Sequence, residues 1–493
     1  MAPLVAALVS ALLMWASFPP LGFGLLAFVA PAPLLWGLRR LDSGMAAAAV
    51  GFVWGAAFFG ATLNWIFVLG AVAWFPLTIW LGITSAILSV AIWAFRSWTA
   101  ARWWLVAVGA WGLWEIARAS FPLGGFPWGA IGYAAAGNPG AIGAVQWIGP
   151  FGWMALAVAV SAGLVLAIED RANWRFLVDP VVVVTVVALA GWLFPPEAGG
   201  GGLRTAIVQG NSPCPGTRCD NENQRIFESH LALTSELPTG GVDFVVWPEN
   251  STGPPFDPTV NDDVRALIAE QAMRLRAYIL VSGTRSVGDT EFENVNIMFD
   301  PAGNVVDEYL KRHPVPFGEY VPLRGLLDFI PQLDRVPRDM IRGDGPVTFR
   351  AEQGTIGSVI SYEGAYAGLI RSEARAGAEL MVVATNEASF GRGAASDQLI
   401  AMTRVNAAAV GQYLVHAAIT GRSAFITPAG VILDDTDLFT TSVIVERMAF
   451  RDGAATIYTR YGDWALLVAA VAAIAAVTAP GEGRPKGRRA RRA

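Results

Sequence analysis

Apolar residues in the first 195 positions fall in long, nearly unbroken runs, with no two-residue or four-residue rhythm. The runs cover roughly 3–18, 22–38, 46–69, 73–95, 103–118, 141–168 and 176–195, and an eighth, WALLVAAVAAIAAVTAP, begins at Trp464. Helices of about 17–25 apolar residues match a hydrocarbon core of about 30 Å. The pattern therefore predicts a polytopic α-helical membrane domain of eight spans, seven N-terminal and one C-terminal. The first two runs are short and contain proline, so their edges are the least defined. The first run has no basic flank and more runs follow at once, which reads against a cleaved signal peptide.

Between the seventh and eighth runs the pattern changes. LRTAIVQGN (203–211), VDFVVWPEN (242–250) and YILVSGT (278–284) read as strands, while 221–237 and 262–277 have helical spacing. NVNIMFDP, GTIGSVIS, ELMVVATN, YLVHAAIT and SAFITPAG continue the strand series. Nearly all-apolar strands alternating with helices predict an α/β layered sheet buried on both faces.

Charge divides the chain in the same way. Only 13 of the 75 Asp, Glu, Lys and Arg residues lie in the first 200 positions. Arg39 and Arg40, Arg96 and Arg102, Arg171 and Arg175, and the tail GRPKGRRARRA occupy alternate connections. The positive-inside rule makes those connections cytoplasmic and places the middle segment on the outer face. The expected organisation is a membrane domain over 1–199, an extracytoplasmic domain over 200–457, an eighth span over 458–480 and a basic cytoplasmic tail over 481–493. The tail is read as a topology signal and not as a nucleic-acid patch. Within the fifth run, Glu115 and Arg118 are spaced for a helical i, i+3 salt pair. Trp128 and Tyr133 are expected as interfacial anchors.

Cys214 and Cys219 lie in the Pro/Gly-rich stretch NSPCPGTRCDN. An outer location favours a disulfide between them, and no further Cys or His is close enough to suggest a metal site. The chain carries no phosphate-binding glycine loop and no cluster at metal-ligand spacing, so no cofactor is expected.

Three strand ends carry notable polar residues, and in layered α/β sheets chemistry collects at strand ends. Glu249 closes WPEN, where a carboxylate is as often a plain turn cap. Lys311 stands in EYLKRHPVPFGEYVP (308–322), followed by Glu319. It is one of two lysines against 33 arginines, the other being Lys486 in the tail. Keeping an ammonium there suits a compact, tunable charge better than a planar guanidinium. The third end is VISYE, with Ser361, Tyr362 and Glu363. A serine nucleophile ordinarily needs a histidine base, and of His230, His313 and His416 only His313 lies near a motif.

Taken together, WPEN, the Lys311 segment and SYE resemble the Glu-Lys-Cys motifs of the nitrilase (carbon–nitrogen hydrolase) superfamily. FPPLGFGLLAFVAPAPLLW (18–36), GFPWGAIGYA (125–134), QWIGPFGW (146–153), HPVPFGEYVP and the eight-run layout extend the likeness over the whole chain. They resemble the superfamily's membrane-bound branch, the bacterial apolipoprotein N-acyltransferases. The resemblance implies an αββα sandwich for the outer domain and a site in a bacterial cytoplasmic membrane. It also implies acyl transfer from a phospholipid to the α-amino group of a diacylglyceryl-cysteine lipoprotein, through a thioester. Glu249 would be the general base, Lys311 the oxyanion partner, and Glu319 and Glu363 supporting carboxylates beside Tyr362. A monomer is expected, with Trp247, Phe317, Asn386 and Phe390 lining the substrate site. RGLLDFIPQLDRVPRDMIR (324–342) reads either as an arm reaching towards lipid or as a segment packed on the domain.

Two departures stand out. The family's nucleophilic cysteine is replaced by Ser361, which makes the chain either an engineered nucleophile-substituted form or a naturally serine-bearing relative. TNEASFGRGAASDQ (385–398) has Glu387 and Ser389 where the family's Asn-Asp-x-Trp-Phe loop has its acid and indole. The competing functions are a membrane-tethered amidase or nitrilase acting on a small C–N substrate, and a non-catalytic lipoprotein-binding relative.

Overall fold

The computed structural model describes residues 1–479 except Glu197, Thr217, Arg218 and Asp328. The basic tail predicted over 481–493 lies outside the described residues. The chain divides into two compact units, residues 1–193 with 463 onwards, and residues 194–462.

In the first unit every apolar run except the second becomes helical: Ala2–Ala16, Gly44–Thr62, Ala71–Ala94, Ala100–Ser120, Val145–Glu169 with a break at Gly149, Arg175–Leu193 and Trp464–Thr478. The second run folds as a short 3-10 turn and the helix Pro31–Leu38. Among the described residues, four helical segments are long and apolar enough to cross a membrane, at residues 44–62, 71–94, 142–169 and 171–193. Ala2–Ala16, Gly24–Leu38 and Trp464–Thr478 are shorter. Ala100–Ser120 has the length but carries Arg102, Glu115 and Arg118. Helices 44–62 and 71–94 approach closely because glycine faces serine between them. A Cβ on Gly51 would fall 2.2 Å from Ser89 Oγ, and one on Gly55 would fall 2.3 Å from Ser85 Oγ. Small residues at such crossings let backbones touch where lipid supplies no hydrophobic drive.

Glu115 and Arg118 have partners beyond each other, and the expected interfacial anchors of this unit need correction. Glu115 and Arg118 both reach across to one loop. Glu115 Oε1 accepts from the Ile131 N–H (3.1 Å) and Trp111 Nε1 (3.3 Å), while Arg118 Nη1 donates to the carbonyls of Phe126 (2.6 Å) and Trp128 (2.7 Å). A buried loop must have its backbone groups satisfied, and these two side chains do that work. Trp128 and Tyr133 are buried inside the unit, so they are packing residues and not interfacial anchors.

Among its described residues the second unit holds thirteen strands: β1 (Ala198–Gln209), β2 (Phe244–Val246), β3 (Tyr278–Val287), β4 (Glu291–Phe299), β5 (Val305–Leu310), β6 (Asp339–Met340), β7 (Thr348–Ala351), β8 (Gly354–Ile360), β9 (Leu380–Thr385), β10 (Leu414–Ala418), β11 (Ala424–Ile426), β12 (Ile432–Asp435) and β13 (Ser442–Arg451). One sheet runs β13-β1-β2-β3-β4-β5, with β6 beside β4, and the other runs β12-β11-β10-β9-β8-β7. The central pairs β1–β2, β2–β3, β8–β9 and β9–β10 are parallel, as is the short β4–β6 pair, and the other flanking pairs are antiparallel. Buried polar contacts stitch the sheets together: Asn296 Nδ2 donates to Ser358 Oγ (3.1 Å) and Ser423 Oγ to Gln209 Oε1 (2.6 Å). Helices Glu222–Glu236 and Asp262–Leu275 accompany the first sheet, and Ala367–Arg375 and Ala395–Val410 the second. Asn261 caps the 262–275 helix by accepting from Asp263 and Val264 N–H groups at 3.1 and 3.2 Å, with Asp262 and Asp263 favourably placed at the positive helix end.

Candidate active site

Each expected catalytic residue stands just beyond a strand of this unit. Glu249 follows β2 after Trp247 and Pro248, Lys311 is the first residue after β5, and Ser361 is the first after β8. The folded chain brings all three together. Glu249 Oε1 accepts from Asn294 Nδ2 at 2.7 Å and from Lys311 Nζ at 3.3 Å, while Oε2 accepts the Asn386 N–H at 2.7 Å. The Ser361 hydroxyl is close enough to the same carboxyl group to pull its pKa down. Lys311 is 1 % exposed, and its ammonium also donates to Glu319 Oε1 at 2.6 Å. Glu319 Oε2 takes the Val315 N–H at 2.7 Å, which closes the proline-bearing loop between them.

The electrostatics suit proton transfer. Burial pushes the Glu249 carboxyl up, with Glu319 adding to the push while Lys311, Asn294 and Ser361 pull it back. The net rise moves the group towards the working range of a general base. Burial pulls the Lys311 ammonium down, but Glu249 and Glu319 outweigh it and hold the ammonium above its ordinary value.

Ser361 has φ of +57°. A side-chain-bearing residue in the left-handed region is a local strain that the surrounding structure must hold. Glu363 supplies the hold. Its Oε2 accepts from the Ile360 N–H and the Tyr309 hydroxyl, both at 2.8 Å, and its Oε1 from the N–H groups of Arg312 (2.7 Å) and His313 (2.9 Å). Four donors fill the four acceptor positions of a carboxylate. Glu363 thus ties the residue before Ser361 to the residues after Lys311, so it is a turn-stabilising carboxylate that registers one catalytic loop against the other. Glu363→Gln would set an amide donor against those N–H groups. The expected result is a stability loss of about 1–3 kcal/mol, read by thermal unfolding in detergent.

No histidine serves as a base for Ser361 among the hydrogen bonds of the described residues. Burial, aided by Arg342 and Lys311, lowers His313 to about 4, and its ring stacks 4.2 Å from Tyr366. His230 is lowered to about 4 by burial and is held between the Ile226 carbonyl and the Gly210 N–H. His416 lies within β10 beside Glu387.

The remaining expected residues divide. Tyr362 is half-buried and packs edge-on to Tyr366 at 5.0 Å. Asn386 acts through its backbone on Glu249 and through its side chain on Asn250 Oδ1 at 3.0 Å. Phe390 is half-buried, and Phe317 is exposed with φ of +61°. Trp247 does not line the site. It is fully buried, donates from Nε1 to Thr234 Oγ1 at 2.9 Å and packs on Phe227 and His230, because the 222–236 helix covers it. Trp247→Ala should accordingly cost about 3–5 kcal/mol of stability, as large aromatic truncations in cores do, measurable by denaturant titration.

Cys214 and Cys219 are joined as a disulfide. In the 324–342 segment, Leu326 and Phe329 are 71 % and 77 % exposed and neighbouring Leu323 is 74 % exposed, so these apolar residues do not pack on the domain. No group of three or more His, Cys, Asp or Glu among the described residues could hold a metal ion. Asn294, Tyr309 and Arg312 were not singled out from the sequence. Asn294 and Asn296 were visible as alternate polar positions in the apolar run NVNIMF, a signal for an inward polar face.

Residues 10–164 match the apolipoprotein N-acyltransferase N-terminal domain family, and residues 204–458 match the carbon–nitrogen hydrolase family. An apolipoprotein N-acyltransferase of Geobacter metallireducens is 31 % identical over 96 % of this chain and 94 % of its own. Those of Gloeobacter violaceus and Mycolicibacterium smegmatis are 28 % and 29 % identical, over 96 % and 97 % of this chain and 93 % and 84 % of theirs. A solved amidase from Nesterenkonia sp. aligns with 51 % of this chain and 92 % of its own at 17 % identity and a TM-score of 0.39. The chain belongs to the apolipoprotein N-acyltransferase family.

Proposed function

We propose that the site is built to move an acyl chain from a membrane phospholipid to the α-amino group of a diacylglyceryl-cysteine lipoprotein, and that Ser361 holds it in an arrested form. The carrying observation is that the Ser361 hydroxyl meets a buried carboxyl which also faces the Lys311 ammonium. With a thiol at 361, Glu249 takes the thiol proton and the thiolate attacks the phospholipid ester carbonyl. The C–O bond then breaks, Glu249 returns the proton to the leaving lysophospholipid oxygen, and a thioester remains. The lipoprotein amine attacks that thioester, Glu249 accepts the amine proton, and the thiol is released as the amide forms. Lys311 and the Tyr362 N–H stabilise the oxyanion in both tetrahedral intermediates. A serine hydroxyl is far harder to ionise than a thiol of ordinary value about 8.5, so the same geometry stalls at the first proton transfer.

The chain acts as a multi-pass protein of a bacterial cytoplasmic membrane, as a monomer, with eight spans and residues 200–457 on the extracytoplasmic face. Contacts within the first unit support that topology. Arg39 and Arg40 both reach Glu169 (2.7 and 2.9 Å), Trp93 Nε1 donates to the Leu41 carbonyl (2.9 Å), and Arg102 Nη2 donates to the Ala479 carbonyl (3.2 Å). The basic connections thus gather at one end of the helices, as one cytoplasmic face requires. Exposed Leu323, Leu326 and Phe329 form an arm suited to lipid.

The test mixes the Ser361→Cys form with phospholipid vesicles and a diacylglyceryl-cysteine peptide, and separately with small amides. N-acylation of the peptide with no amide hydrolysis is expected; hydrolysis of amides without lipid would favour the tethered amidase. Rates of that form should fall at low pH through a value above the ordinary carboxylate 4.5, because burial raises Glu249 and its protonated form accepts no proton. A pH profile of kcat/KM reads that limb.

A further inference from the structure

One pair of ionisable side chains has no place in this mechanism. Glu387, just past β9, is 3 % exposed, and His416 in β10 is fully buried. His416 Nε2 stands 3.5 Å from Glu387 Oε1. Among the described residues neither Glu387 carboxyl oxygen nor His416 Nε2 has a hydrogen-bond partner. The small cleft beside Glu387 is walled by Phe390, Ser396, Thr420 and Phe439. Gly421 closes against the carboxyl group, where a Cβ would fall 2.2 Å from Oε2. A buried carboxylate with no donor is costly, and a base within reach relieves it by sharing a proton.

The location gives the pair a task. Asn386, one residue before Glu387, gives its N–H to Glu249 Oε2 at 2.7 Å. The turn is closed locally by the Ala388 N–H on Asn386 Oδ1 (3.0 Å) and the Phe390 N–H on the Glu387 carbonyl (3.1 Å). Glu387 faces His416 on the parallel neighbour of β9. We propose that Glu387 and His416 share one proton across the two strand ends and pin this turn, so that the Asn386 N–H stays aimed at Glu249. They are positioning residues for the base, and the proposal rests on the assignment of Glu249 to that role.

The test uses Glu387→Met, His416→Leu and the double variant, each in the chain as it stands and in the Ser361→Cys form. Thermal unfolding of the first set reads the pairing. Each single variant leaves one polar partner buried alone, whereas the double leaves neither. The double should therefore unfold at a higher temperature than either single variant; losses that simply add would overturn the dyad. Alkylation of the thiol at 361 by iodoacetamide reads the positioning, because it depends on Glu249 as base and needs no acyl donor. Cys214 and Cys219 are bonded to each other and do not compete. All three variants should alkylate about 10-fold or more slowly, the scale on which small misplacements of a reactive group act. The double should stay slow although its stability recovers. Parental alkylation rates in all three would make the pair purely structural and sink the proposal. Should the Ser361→Cys form never transfer acyl chains while this alkylation pattern holds, the acyltransferase reading fails and the dyad stands.

Discussion

Ser361→Cys raises the rate of lipopeptide N-acylation by about 10³-fold or more over the chain as it stands. The estimate is conservative, since removing the nucleophile from a comparable hydrolytic site costs up to about 10⁶ in kcat. The reason lies in the geometry around position 361. Glu249 already feels the side chain there, Lys311 is charged and beside Glu249, and Glu363 fixes the strained turn. Only the ionisable atom is lacking. A thiol needs a modest fall from about 8.5 to react, and a neighbouring cation provides it. Time courses of peptide N-acylation by mass spectrometry check the figure, and equal rates in the two forms would refute it.

Lys311→Met has the second largest effect, and it acts twice. In the Ser361→Cys form it removes the cation facing both tetrahedral intermediates, so kcat falls by about 10²–10³, the cost of losing one oxyanion donor. It also leaves Glu249 and Glu319 as buried neighbours without the ammonium between them. Breaking a buried ion pair by removing one partner costs about 3–5 kcal/mol, so the variant also unfolds well below the parent. Lys311→Arg keeps the charge but not the point-like ammonium that fits between Glu249 and Glu319, and should recover stability more than rate. Steady-state rates beside thermal unfolding separate the two effects.

The candidate catalytic residues were legible in the sequence because each interrupts an apolar strand at its end, where a buried carboxylate or ammonium has no packing reason to sit. Lys311 stood out further as a lysine kept in an arginine-rich chain. What position along the chain cannot convey is which way a side chain faces once a helix lies over it. Trp247 adjoins Glu249 yet belongs to the core, and Glu115 and Arg118 answer backbone groups of a loop that their i, i+3 spacing does not reveal. The edge strands β5, β12 and β13 were missed for a related reason. Exposed and partly covered positions make up much of each, so they lack the continuous apolar run that marked the central strands. Glu363 shows the reverse case, a motif residue whose four hydrogen bonds are invisible in sequence but account for its place.

The central claim is that this site forms an acyl-enzyme when, and only when, position 361 bears a thiol. Intact-protein mass spectra of the chain as it stands and of its Ser361→Cys form, after mixing with phospholipid vesicles, test it most directly. The account predicts an acyl-sized, hydroxylamine-labile adduct on the Ser361→Cys form alone. An adduct on the serine chain, or none on either form across varied acyl donors, would contradict it.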